Sequence, residues 1–107
     1  MNPLFLLNSP VLTAYGQWQF LPVSLMDARK LVETDFISAI GHESTAQLLS
    51  QLLEKEIICQ RISITMQPQD RALIFRIKKR LPDTRELTQA EISQLSYEFG
   101  LLRYLSE

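Results

Sequence analysis

The 107-residue sequence predicts a single α/β domain, a mixed β-sheet flanked by helices. Three observations carry that expectation. Short runs of strand length, apolar or alternating, occur at 3–8, 36–40, 71–79 and 97–105. Between the second strand and those around it lie two segments, 25–34 and 44–54, whose apolar residues recur at helical spacing. No repeat, low-complexity tract or linker divides the chain, so residues 1–107 read as one domain, of a size that suits dimerisation.

Each element has its own justification. Residues 3–8 (PLFLLN) are a buried-strand run closed by Asn8-Ser9-Pro10. Residues 11–23 carry aromatic and β-branched residues around Tyr15-Gly16, which reads as a hairpin or an irregular turn. Ser24 stands three residues before Asp27, a capping-box spacing, and Leu25, Ala28, Leu31 and Val32 form the helical stripe behind it. A strand at 36–40 leads into Gly41, and Ala46, Leu48, Leu49, Leu52 and Leu53 give a second helix. Residues 61–66 and 71–79 both alternate around the turn-forming "QPQD", the pattern of an antiparallel hairpin. "LPDTREL" is a polar loop, Thr88 and Glu91 cap a short helix, and "YEFGLLRYL" is a final strand. Periodicity does not order the strands.

Composition removes several function classes. With 46% apolar and 21% charged residues the chain is globular rather than disordered. A net charge of −1 argues against binding to duplex nucleic acid or to an acidic membrane. One cysteine, Cys59, permits no internal disulfide and no thiolate cluster, and beside Ile57 and Ile58 it reads as a small apolar residue. With one histidine as well, no metal site and no cofactor is expected. The apolar opening lacks a basic flank and breaks at Asn8-Ser9-Pro10, so it is read neither as a signal peptide nor as a membrane span. The expected location is cytoplasmic, in the host cell if the source is viral.

Chemistry concentrates in two places. Seven of the eleven basic residues fall within 61–85, opposed there only by Asp70 and Asp83. Along the strand, period 2 puts Arg76, Lys78 and Arg80 on one face and Phe75 and Ile77 on the other. Three adjacent cations call for an anion such as phosphate; equally, they suit an edge strand that resists aggregation. The second place is "SAIGHEST" (38–45), which holds the only histidine. Gly41 allows a tight turn and close backbone approach, and the helix that follows turns free N–H groups toward an anion. An imidazole there can exchange a proton near neutral pH. A packed or solvated histidine is the competing account.

"LLNSPV", "SAIGHEST" followed by "AQLLSQLL", "QRISI" and "RIKKRLPDTRELTQAEI" occur in the order and spacing of the viral anti-CRISPR ring nucleases. The chain resembles that family over roughly residues 4 to 95. The resemblance implies a two-fold homodimer that binds cyclic tetra-adenylate, the second messenger of type III CRISPR immunity, across its symmetry axis. It implies cleavage without metal to linear di-adenylates, the nucleophile being a ribose 2′-hydroxyl of the substrate, so that 2′,3′-cyclic phosphate ends result.

Position by position, the resemblance makes His42 the general acid for the departing 5′-oxygen and Arg80 the arginine on the reacting phosphate. Asp83 falls where relatives carry glutamate, one methylene longer, in a loop that closes over the ligand; Thr84 stands where glycine is common. Asn8, Ser9, Arg61, Ile64 and Arg76 fall at ligand-contact positions, and Gly41 gives clearance beside His42. Attack from within the substrate suits a chain without a nucleophilic Cys or Ser constellation. Two other classes stay open: a module that sequesters a cyclic oligonucleotide uncut, and an interaction protein whose cations at 76–80 face a partner.

Overall fold

The computed structural model describes residues 4–8, 14–77 and 96–107. The expected loop at 81–87, the Thr88–Glu91 helix, and Ser9, Lys78, Arg80, Asp83 and Thr84 lie outside the described residues.

Five strands, β1 (Leu4–Leu7), β2 (Gln17–Val23), β3 (Phe36–Ser38), β4 (Arg71–Ile77) and β5 (Tyr97–Ser106), form one sheet in the order β2-β5-β4-β1-β3. β1 pairs in parallel with β3 and β4, while β5 runs antiparallel to β4 and β2, so the sheet is mixed. β1 and β4 are central and buried on both faces, which is why Leu4 to Leu7 and Ala72 to Phe75 read as unbroken apolar runs.

Helices α1 (Leu25–Leu31) and α2 (Glu43–Leu53) join the same core cluster. Ala28 and Val32 from α1 and its end, with Ala46, Leu48, Leu49, Leu52 and Leu53 from α2, pack on Leu4, Leu6, Leu73, Phe75 and Phe99. The helices are tied where the Arg29 Nε donates to the Leu52 carbonyl at 2.9 Å, satisfying one of the open carbonyls at the end of α2. Ser24 caps α1 as its spacing predicts, its Oγ accepting from the Asp27 N–H at 3.1 Å. This helix closes at Leu31, with Val32 as its cap, three residues earlier than the periodicity suggests.

The opposite face carries Phe5, Leu7, Ala72, Ile74, Leu102 and Tyr104, covered by Met66, Ile64 and Trp18. Here the expected 61–66/71–79 hairpin is corrected. Residues 61–66 form no strand; β4 takes β1 and β5 as neighbours instead. The segment lies across the sheet, and its alternation matches burial only in its second half: Ile64 and Met66 turn down, while Arg61, Ile62, Ser63 and Thr65 are exposed. The "QPQD" turn itself forms. Asp70 Oδ2 accepts from the Gln67 N–H at 2.7 Å, while Gln69 and Asp70 bond the backbone of Tyr104 on β5. Its chemistry matches the expectation and its partner does not.

Residues 14–16 make an irregular bend before β2, which among the described residues pairs with β5. The bend is held by the Trp18 ring stacked on Tyr104, centroids 4.1 Å apart, and by the Tyr104 hydroxyl donating to the Tyr15 carbonyl at 2.8 Å. Gly16 is required there: its φ is +146°, and a Cβ would stand 2.3 Å from the Ser106 carbonyl oxygen. Burial in this corner, helped by the negative Glu107, pushes the Tyr104 phenol above its usual range. Cys59 is exposed, correcting its reading as a packed apolar residue; Ile57 alone of residues 57–59 turns inward.

Candidate functional site

β4, β1 and β3 run parallel and therefore end on one edge of the sheet. Leu6 is level with Ser38 on one side and Leu73 on the other, so Asn8 and the 39–42 segment follow closely on strand ends, and Arg76 is the last residue but one of β4. The crevice outside the carboxyl ends of parallel strands is where open α/β sheets bind ligands. At roughly 4.8 Å per strand, β4 and β3 stand about 10 Å apart across β1.

The chain leaves β3 through Ala39, whose N–H still donates to the Leu6 carbonyl at 2.9 Å, and passes Ile40 and Gly41 to reach α2. Ile40 is fully buried and anchors this passage in the core. His42 is the N-cap of α2 in an extended conformation, with its side chain exposed and not bonded to the helix. The first helical bond runs from the Ala46 N–H to the His42 carbonyl at 3.0 Å. The N–H groups of Glu43, Ser44 and Thr45 thus precede the ladder and point out of the end beside the imidazole. Glu43 adds a carboxylate to that first turn, which competes with an incoming anion for the positive helix end.

Arg61 completes the group. Its Nε donates to the Gly41 carbonyl at 2.9 Å, although the residues are twenty apart in sequence. A guanidinium has five N–H donors in a flat fork; this bond uses one, and among the described residues no other hydrogen bond is made by the Arg61 side chain. No ion pair involves Arg61 among the described residues. Gly41 is needed for this approach and not for an unusual backbone: it is outside the left-handed region, and a Cβ would lie 3.3 Å from the Arg61 Cγ. The atoms that stand close to Gly41 are those of Arg61, whereas the expectation concerned an anion.

The other predicted residues fare differently. Asn8 is exposed at the end of β1, on the same edge. Arg76 is also there, but its Nε is 3.2 Å from Glu98 Oε1 on the neighbouring strand, so a carboxylate already partners part of the expected cationic row. Glu98 escapes a reading of 61–85 because it lies outside that segment, 22 positions beyond Arg76. Ile64 is half-buried against the sheet face, a packing role. Ser9, Arg80 and Asp83 lie outside the described residues. A cavity of about 170 Å³ lined by Phe20, Pro22, Arg76, Glu98 and Gly100 touches the site only through Arg76. Among the described residues no group of three or more His, Cys, Asp or Glu could hold a metal ion, and no helix is long and apolar enough to cross a membrane.

Comparison with known proteins shows the family and the fold. A family model described as STIV B116-like matches residues 4–99. Uncharacterized protein 26 of Sulfolobus islandicus filamentous virus is 30% identical over 109 aligned positions, covering 96% of this chain and 92% of that protein. Uncharacterized protein YddF of Bacillus subtilis is 32% identical over 102, covering 92% and 94%. Among solved structures, B116 of Sulfolobus turreted icosahedral virus superposes with a TM-score of 0.84 at 23% identity, covering 96% of this chain and all of that one. At that identity the likeness speaks to the fold.

Proposed function

The chain belongs to the STIV B116-like family, and on that premise we propose that it is a ring nuclease that cleaves cyclic tetra-adenylate without a metal ion. The observation that carries the reading is the Arg61 guanidinium, fastened to the Gly41 carbonyl beside His42 at the start of α2. Anchored cationic N–H groups, open helix N–H groups and a proton-exchanging imidazole in one place suit an anionic phosphodiester. The sequence likeness to the ring nucleases described above supplies the substrate.

In this mechanism a ribose 2′-oxygen attacks its own 3′-phosphorus and the bond to the departing 5′-oxygen breaks. The 2′-hydroxyl proton passes to solvent, and the His42 imidazolium protonates the 5′-oxygen. Products are a 2′,3′-cyclic phosphate and a free 5′-hydroxyl. Arg61, with Arg80 on the reacting phosphate, offsets charge on the non-bridging oxygens. Each protomer presents one such edge. A two-fold pair of protomers would present two to a ring that itself has two-fold symmetry, and this is the assembly proposed for the active species.

The test is incubation with cyclic tetra-adenylate in EDTA, products resolved by mass. Linear di-adenylate with cyclic phosphate ends is expected. His42→Ala should slow cleavage by about 10²–10⁴-fold while binding persists. Intact ring at high protein concentration would overturn the reading. One observation favours a second reading, sequestration without cleavage: among the described residues no hydrogen bond orients the His42 imidazole. Tight binding of an uncut ring would establish that alternative.

A further inference from the structure

We infer that Gln60 is a positioning residue for this site, acting through Arg61, with Ser38 as its anchor; the inference rests on the function proposed above. β3 is three residues long and, among the described residues, has one sheet neighbour, β1, so its outer edge needs other partners. Residues 58–60 run along that edge without joining the sheet. The buried Ser38 Oγ donates to the Ile58 carbonyl at 2.8 Å. The Gln60 N–H donates to the Ile40 carbonyl at 2.8 Å. The Gln60 Nε2 donates to the Ser38 carbonyl at 2.8 Å.

Two of these three bonds are made by side chains. The Ser38 Oγ holds Ile58, and two residues later the two bonds from Gln60, to the Ser38 and Ile40 carbonyls, fasten residue 60 on both sides of Ala39. The next residue is Arg61, delivered beside Gly41. An exposed arginine samples many rotamers, and holding it in one before a ligand arrives lowers the ordering cost of binding. Gln60 is half-buried, neutral, and has its carboxamide N–H on Ser38. Its influence on an anion at this edge therefore runs through where it places Arg61.

The experiment measures the dissociation constant for cyclic tetra-adenylate in EDTA, on the full chain carrying His42→Ala. Gln60→Met keeps shape and neutrality but removes the donor; Ser38→Ala removes the second bond. Each variant is expected to weaken binding about three- to tenfold. With Arg61→Ala also present, either change should matter by less than about twofold. Wild-type affinity in Gln60→Met, or the same loss in both Arg61 backgrounds, overturns the positioning role. A ligand-free readout separates this from failure of the proposed function. The ¹⁵N-resolved Arg61 Nε–H signal should be protected from exchange in the parent and lose protection in Gln60→Met. If the parent binds no ring, the function falls and this signal alone decides; unchanged protection in Gln60→Met overturns the inference.

Discussion

Gly41→Ala separates stability from ligand binding at this site. The backbone of Gly41 is outside the left-handed region, so alanine fits without dihedral strain. Reduced freedom of the unfolded chain contributes about 0.4–1 kcal/mol in favour of the variant. Against this stands one contact, 3.3 Å from the new Cβ to the Arg61 Cγ. Carbon atoms prefer about 3.5–4.0 Å, so the arginine, being exposed and flexible, must retreat by a few tenths of an ångström. Its Nε–carbonyl bond of 2.9 Å then stretches toward the limit of about 3.2 Å for a good N–H···O bond. The expected result is a melting temperature equal to or slightly above wild type, with affinity for cyclic tetra-adenylate lower by about two- to tenfold. The assays are a thermal melt and a titration in the His42→Ala background. A melting temperature lower by more than about 5 °C, equivalent to roughly 1 kcal/mol in a domain of this size, would refute the backbone argument. Unchanged affinity would refute the placement of Arg61.

Three further outcomes follow from the same geometry. Glu98→Gln releases Arg76 from an ion pair whose side chains are 53% and 49% exposed; stability should change by less than about 1 kcal/mol, while ring affinity rises modestly, and weaker binding would count against Arg76 as a ligand contact. Gly16→Ala places a side chain at φ +146° against the Ser106 carbonyl and should destabilise by at least about 1–3 kcal/mol in chemical denaturation; an unaltered midpoint would contradict the bend. Burial holds the Tyr104 phenol above its usual value, with Glu107 adding to it. A raised acid favours folding while it stays protonated, so this contribution is intact below about pH 10 and disappears as pH rises through the folded value. Tyr104→Phe should show a flatter alkaline decline in denaturation midpoint, and an identical decline would assign it to other groups.

How much of this was legible beforehand divides along physical lines. The Ser24 cap, the stripe of α2 and β5 to within one residue were readable because each is decided by neighbours within a few residues. His42 and Gly41 stood out for the same reason: a strand, a glycine and a helix start are contiguous in sequence. The 61–66 segment misled because extended chain alternates whether it lies in a sheet or across one. Only hydrogen-bond partners tell these cases apart, and they are made by the flanking residues, Gln60 to Ile40 and Gln69 and Asp70 to Tyr104 on β5, which tie the segment at its ends. Glu98 against Arg76, and Ser38 and Gln60 behind Arg61, join residues about twenty positions apart. No periodicity encodes such pairs.

The sequence by itself therefore determined an α/β domain, its local caps and stripes, and a histidine at a strand-to-helix junction within a recognisable family pattern. The tertiary structure decided strand order, the single layer of described helices, and which cation stands beside His42. The reason is range. Backbone preference and amphipathic spacing act over one or two turns, whereas the site is assembled by hydrogen bonds between β3 and a segment that returns to it only after α2 has crossed the core.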